Sequence, residues 1–220
     1  MFKATSRLAP YYLLRFYLKI FFSSYKSALD GIYFIALALL TFYIANTTGK
    51  FDSHIVASLI YTLTLLGIIL TLSDLVGQDR NRGALEFIYL SGINLYWLVI
   101  TKIVISMATA LMLVISSFGF ALVIFNIEPM FMVQIFISFL MILPSITVVI
   151  LFVNIISANY SVRIVQYLLS LPLLIPLIIT GVNSADNSAY WHISLGLNMI
   201  YLPIFTFFCR QILELAIIER

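Results

Sequence analysis

Long apolar stretches alternate with short polar breaks along the whole chain. The stretches run from about Ile32 to Asn46, Ile55 to Val76, Ile103 to Phe125, Met130 to Ile156, Ile164 to Gly181 and Ile193 to Leu213. A helix that crosses a hydrocarbon core of ~30 Å needs ~20 mostly apolar residues. The pattern therefore predicts six transmembrane helices. The segment before them has a different pattern. From Tyr11 to Leu29, Arg15, Lys19, Ser23 and Lys26 recur at helical spacing, while Leu13, Tyr17, Ile20 and Phe21 lie mostly on the other side. A basic, aromatic, amphipathic helix of this kind lies in the plane of the membrane with its cations among the lipid headgroups. The predicted layout is a cytoplasmic segment, residues 1–30, holding the in-plane helix, and a permease domain of residues 31–220.

Composition removes other fold classes. The chain has 220 residues, 63% hydrophobic and only 10% charged. Soluble domains carry about 25% charged residues, so a soluble enzyme, a disordered tail and a secreted disulfide domain are all excluded. The single Cys209 excludes an internal disulfide and a multi-cysteine metal site.

The placement of charge adds orientation. Of the 12 lysines and arginines, only Lys50 falls in a break on the side away from the termini. Lys3, Arg7, Arg15, Lys19, Lys26, Arg80, Arg82, Lys102, Arg163, Arg210 and Arg220 all fall on the other side. The positive-inside rule makes that side cytoplasmic. No Asp, Glu, Lys or Arg falls near the middle of a stretch, because Asp74, Lys102 and Arg210 sit close to the inner boundary. Ion-coupled carriers usually keep an ionisable group along their path, so the pattern argues against a secondary carrier. That class stays open as an alternative, since a neutral site of Asn and backbone carbonyls is conceivable.

The other polar residues have structural readings beside functional ones. Asn154, Gln166 and Asn198 are expected to hydrogen-bond between helices. Pro144, Pro172, Pro176 and Pro203 fall inside the last three stretches; each deletes a backbone donor and is expected to kink its helix. The outer break from Val182 to His192 is the longest. Its Trp191 and His192 are candidate outer-face ligand contacts, with interfacial anchoring as the base case.

The most informative break lies between the second and third stretches, a cytoplasmic coupling loop of about residues 77–101. Asp79, Arg80, Asn81 and Arg82 precede Gly83. A short amphipathic helix is expected from there to about Leu90, with Glu86 favourably placed in its first turn. A charged start on an exposed helix between two spans suits a docking element. The chain has no phosphate-binding G-x-x-x-x-G-K-[ST] motif and no nucleophile elbow, so any ATP is handled by a separate subunit.

Gly83-Ala84-Leu85-Glu86 followed by Tyr89-Leu90, with Lys102 opening the third span, resembles the cytoplasmic loop of the CcmB family. Leu171-Pro172-Leu173-Leu174-Ile175-Pro176-Leu177 resembles that family's Leu-Pro-x-x-x-Pro-Leu in the fifth span. The chain departs from the pattern at Arg82, where Asp is usual, at Ala84, where Ser or Thr is usual, and around Gly92, where proline is usual.

The resemblance covers nearly the whole chain and implies an ABC export permease-like fold. It implies a non-catalytic membrane subunit of the haem exporter complex for cytochrome c maturation. It further implies an ATPase partner like CcmA, haem-handling membrane subunits like CcmC and CcmD, and a haem chaperone like CcmE. Haem would be cargo rather than a bound cofactor, and ATP would act through the partner. On this reading Asp79, Arg80, Arg82, Gly83, Glu86 and Tyr89 form the ATPase-docking loop, and Asp74 and Lys102 couple it to the spans. Two copies per complex are expected, in a bacterial inner membrane or, as the alternative, a mitochondrial one. An ABC exporter for another hydrophobic substrate is the nearest alternative function.

Overall fold

The computed structural model describes residues 25–45, 53–73, 94–125, 128–160, 163–186 and 189–218. They form six helices: α1 Tyr25–Ala45, α2 Ser53–Leu72, α3 Leu95–Phe125, α4 Pro129–Tyr160, α5 Arg163–Asp186 and α6 Ala189–Ile218. All regular structure among the described residues is α-helical. Five helices are long and apolar enough to cross a bilayer, through Ala28–Ala45, His54–Leu72, Leu95–Phe125, Pro129–Ala158 and Tyr190–Leu215. Within α5 the described apolar stretch is Leu168–Ser184. The expected in-plane helix falls mainly on residues 1–24, outside the described residues. Residues 25–29 are the first turns of α1.

Local chemistry sets where helices begin. Asn94 caps α3: its Oδ1 accepts the Tyr96 N–H at 2.9 Å, and its carbonyl accepts the Trp97 N–H at 3.0 Å. This side-chain bond satisfies one of the amides that a helix start leaves unpaired. α3 thus starts two turns ahead of the expected Ile103. α4 opens on Pro129, whose missing N–H costs nothing at a first helical position, and the Glu128 carbonyl accepts the Met132 N–H at 3.2 Å. The expected outer break from Val182 to His192 is mostly helical. α5 runs on to Asp186 and α6 starts at Ala189, so the short apolar stretches understate both helices.

α4 lies at the centre and packs against α3, α5 and α6, with α2 touching it more sparsely. Its middle is buried all round, from Ile146 through Val148, Val149, Ile150 and Leu151. A helix apolar on every side is what a membrane interior or a bundle centre demands. Aromatic rings fill the space beside it. Phe118 of α3 meets Phe136 edge-on at 5.3 Å, and Tyr61 of α2 lies 4.9 Å from Phe139. α1 crosses α2 at a pair of glycines. A Cβ on Gly31 would run into the Thr71 hydroxyl, and one on Gly67 would lie 2.6 Å from Ile35 Cδ1. Small residues allow such close approach, which drives helix association where no hydrophobic force acts between helices. α1, α5 and α6 turn large apolar side chains outward, including Leu37, Ile175 and Met199.

Candidate functional site

The polar groups of the bundle gather in three places along its length. The first is the end from which α2 leaves and α3 enters. The last carbonyls of a helix have no intrahelical donor. Leu72, the last residue of α2, has its carbonyl bonded by Asn154 Nδ2 of α4 at 2.6 Å. Asn154 is 2% exposed, and its Oδ1 has no hydrogen-bond partner among the described residues.

The position of Lys102 follows from helix register. Thr64 Oγ1 donates to Ser117 Oγ at 2.8 Å, and Gly31 abuts both Thr71 and Leu113. α2 and α3 are therefore antiparallel, and Leu72 is level with the region around Thr109. At ~1.5 Å per residue, Lys102 lies roughly 10 Å further along α3, beyond the end of α2. It is nevertheless buried, at 4% exposed. A cation this buried beside a membrane is costly unless its surroundings hold it. Arg210, by contrast, is exposed on α6 and pairs with Glu214 one turn on, at 2.8 Å. The segment that joins Leu72 to Asn94 thus leaves from a carbonyl pinned by α4. It returns to a capped helix whose third turn carries a buried lysine. Asp74, Asp79, Arg80, Arg82, Gly83, Glu86 and Tyr89 lie in that segment, outside the described residues.

The second place is mid-bundle. Pro144 stands inside α4 and offers no N–H to the Leu140 carbonyl. One rung further, Asn198 of α6 reaches across. Its Oδ1 accepts the Ser145 N–H at 3.2 Å and the Ser145 hydroxyl at 2.5 Å. Its Nδ2 donates to the Met141 carbonyl and, at 3.1 Å, to Ser194 on its own helix. Pro172 and Pro176 stand inside α5 and face outward; Pro203, inside α6, is also exposed.

The third place is the opposite end. Tyr61 is buried, and its hydroxyl donates to the Gly181 carbonyl at 3.0 Å, lies 3.2 Å from the Ile135 carbonyl and shares a short hydrogen bond with Ser138. One phenol thereby joins α2, α4 and α5. Trp191 donates its indole N–H to the Ser184 carbonyl at 2.7 Å. Its polar handle is used in tying the start of α6 to the end of α5. His192 is exposed.

These groups can position helices against one another. Among the described residues no cluster of three or more His, Cys, Asp or Glu could hold a metal ion. Sequence reasoning anticipated Asn154 and Asn198 as interhelical donors; the Gln166 side chain lies outside the described ones. It missed Tyr61, although a tyrosine inside an apolar stretch was the available signal. Asn154 makes its interhelical bond to a helix end, the Leu72 carbonyl.

A family model, the CcmB protein, matches residues 9–216. The chain belongs to the CcmB family. This is the ABC permease family of cytochrome c maturation, so the chain is a membrane transport protein of c-type cytochrome biogenesis. CcmB membership points to a non-catalytic subunit and implies an ABC-type Ccm complex with an ATPase partner. A search of the curated proteins finds no match.

Proposed function

We propose that this CcmB chain couples ATP hydrolysis by a separate ATPase subunit to haem export or to release of a haem-loaded chaperone. The observation that carries the reading is how α2 ends and α3 begins. Asn154 holds the carbonyl of the last residue of α2, and α3 carries the buried Lys102 in its third turn. Helices held in this way pass a push delivered between them into the bundle instead of absorbing it. Asp79, Arg80, Arg82, Gly83, Glu86 and Tyr89 dock the ATPase, and Asp74 and Lys102 tie the segment to α2 and α3. All six helices span a bacterial inner membrane with both termini cytoplasmic, and residues 1–30 lie along that face. Two copies assemble with two ATPase subunits, beside partners of the CcmC, CcmD and CcmE kinds.

The test is co-purification of the ATPase from membranes. Arg82→Glu combined with Glu86→Arg reverses the charges of the segment and should abolish association. Retention of the ATPase at wild-type levels would refute the docking assignment.

A further inference from the structure

The two halves of α4 are attached to different things. Its first half is joined to α2 and α5 through Ser138 and Ile135, which meet Tyr61. Its second half is joined to the end of α2 through Asn154 and the Leu72 carbonyl. Between them stands Pro144, which leaves the Leu140 carbonyl without its helical donor. The next rung joins Ser145 N–H to Met141 C=O in a continuous helix. Here the Asn198 amide bonds both of those groups. Asn198 is buried, at 8% exposed, and it uses both amide hydrogens and both lone pairs: Met141 and Ser194 as acceptors, the Ser145 N–H and hydroxyl as donors. α4 is helical through this point, so Asn198 braces the rung beside the one that Pro144 removes.

We propose that Asn198 is a positioning residue of the coupling path. It splints α4 beside Pro144, so that movement of the end of α2, received at Asn154, is carried as one body to the part of the bundle around Tyr61. α6 thereby sets the stiffness of the helix that links the two ends. The coupling role rests on the function proposed above; the splint itself does not. Among the described residues Asn154, unlike Asn198, has a buried acceptor without a partner, which suits a contact that changes partner. Asn198 has none to spare, which suits a contact that holds.

Two measurements on the full chain test this. In the reconstituted chain, amide hydrogen exchange is followed for wild type, Asn198→Leu, Asn198→Gln and Ser194→Ala. Asn198→Leu should accelerate exchange in the stretch around Ser145 alone. Asn198→Gln, which keeps an amide, should restore part of the protection, and Ser194→Ala should match wild type. In the complex with its ATPase, Asn198→Leu should leave assembly and ATP hydrolysis in place. Cytochrome maturation per ATP hydrolysed should fall several-fold, with Asn198→Gln intermediate.

Unchanged exchange at Ser145, or exchange raised evenly over all helices, overturns the splint. An unchanged yield per ATP overturns the coupling role. If the wild-type chain binds no ATPase, the coupling role falls with the proposed function, while the exchange result still decides the splint.

Discussion

Tyr61 offers a direct measure of what holds the end of the bundle away from the 74–93 segment. Tyr61→Phe removes one hydroxyl and no packing. Its partners are not stranded: Ser138 still donates to the Ile135 carbonyl at 2.8 Å, and the Gly181 carbonyl still accepts the Ser184 hydroxyl at 2.8 Å. Interhelical hydrogen bonds in membranes average about 0.6 kcal/mol and reach about 1.7 kcal/mol. The expected cost is therefore about 1 kcal/mol. Tyr61→Ala removes a ring that lies 4.9 Å from Phe139. Emptying an aromatic site costs ~3–5 kcal/mol in soluble cores. Lipid tails are as apolar as the core, so the transfer part shrinks and the cavity part, at least ~2 kcal/mol, remains. Gly181→Ala probes the same contact from α5, since its Cβ would lie 2.9 Å from Tyr61 Cε1 and 2.7 Å from Ile142 Cδ1. Alone it should cost about 1–3 kcal/mol by overpacking. Combined with Tyr61→Ala it should cost less than the sum, because the ring it meets is gone. Combined with Tyr61→Phe the costs should add, because Cε1 stays. The assay is equilibrium unfolding by SDS titration in mixed micelles, read by circular dichroism. A Tyr61→Phe variant as unstable as Tyr61→Ala, or strict additivity of Tyr61→Ala with Gly181→Ala, would refute the view that packing outweighs hydrogen bonding here.

Other consequences follow from the same packing. Gly31→Val should loosen α1 from α2 and lower the thermal midpoint, whereas Gly119→Ala and Gly196→Ala, with no neighbour within 4 Å of the added carbon, should not lower it. Cys209 is fully buried, so a permeant maleimide should label it only after SDS is added, and rapid labelling of the native chain would contradict the α6 packing. Glu214→Gln breaks the exposed pair with Arg210 and should change stability by less than about 0.5 kcal/mol in the same SDS titration, as single-turn helix pairs do.

Much of the molecule was legible from residue order. Apolar runs marked each helix, because a bilayer admits only segments that satisfy their own backbone. Helix ends were less legible. The Asn94 cap and the helical turns on either side of residues 187–188 extend helices past the apolar runs, since caps and turns depend on single polar residues that hydropathy averages away. Asn154 and Asn198 could be singled out as polar residues in apolar surroundings. Their partners, the Leu72 carbonyl and the Ser145–Met141 rung, could not, because backbone groups are identical at every position and carry no sequence mark.

The sequence by itself determined the all-helical membrane class, and its loop and double-proline motifs pointed to the CcmB family. Both follow from one-dimensional information, apolar length and motif spacing. Tertiary structure alone decided that α4 is the centre and that Tyr61 joins three helices. It also decided that Asn198 bridges a rung of α4 and that Lys102 is buried beyond the end of α2. The physical reason is that every helix here is apolar on most sides. Hydrophobicity then puts a helix in the membrane without saying which neighbour it meets; close packing at glycines and a few polar groups seeking partners make that choice.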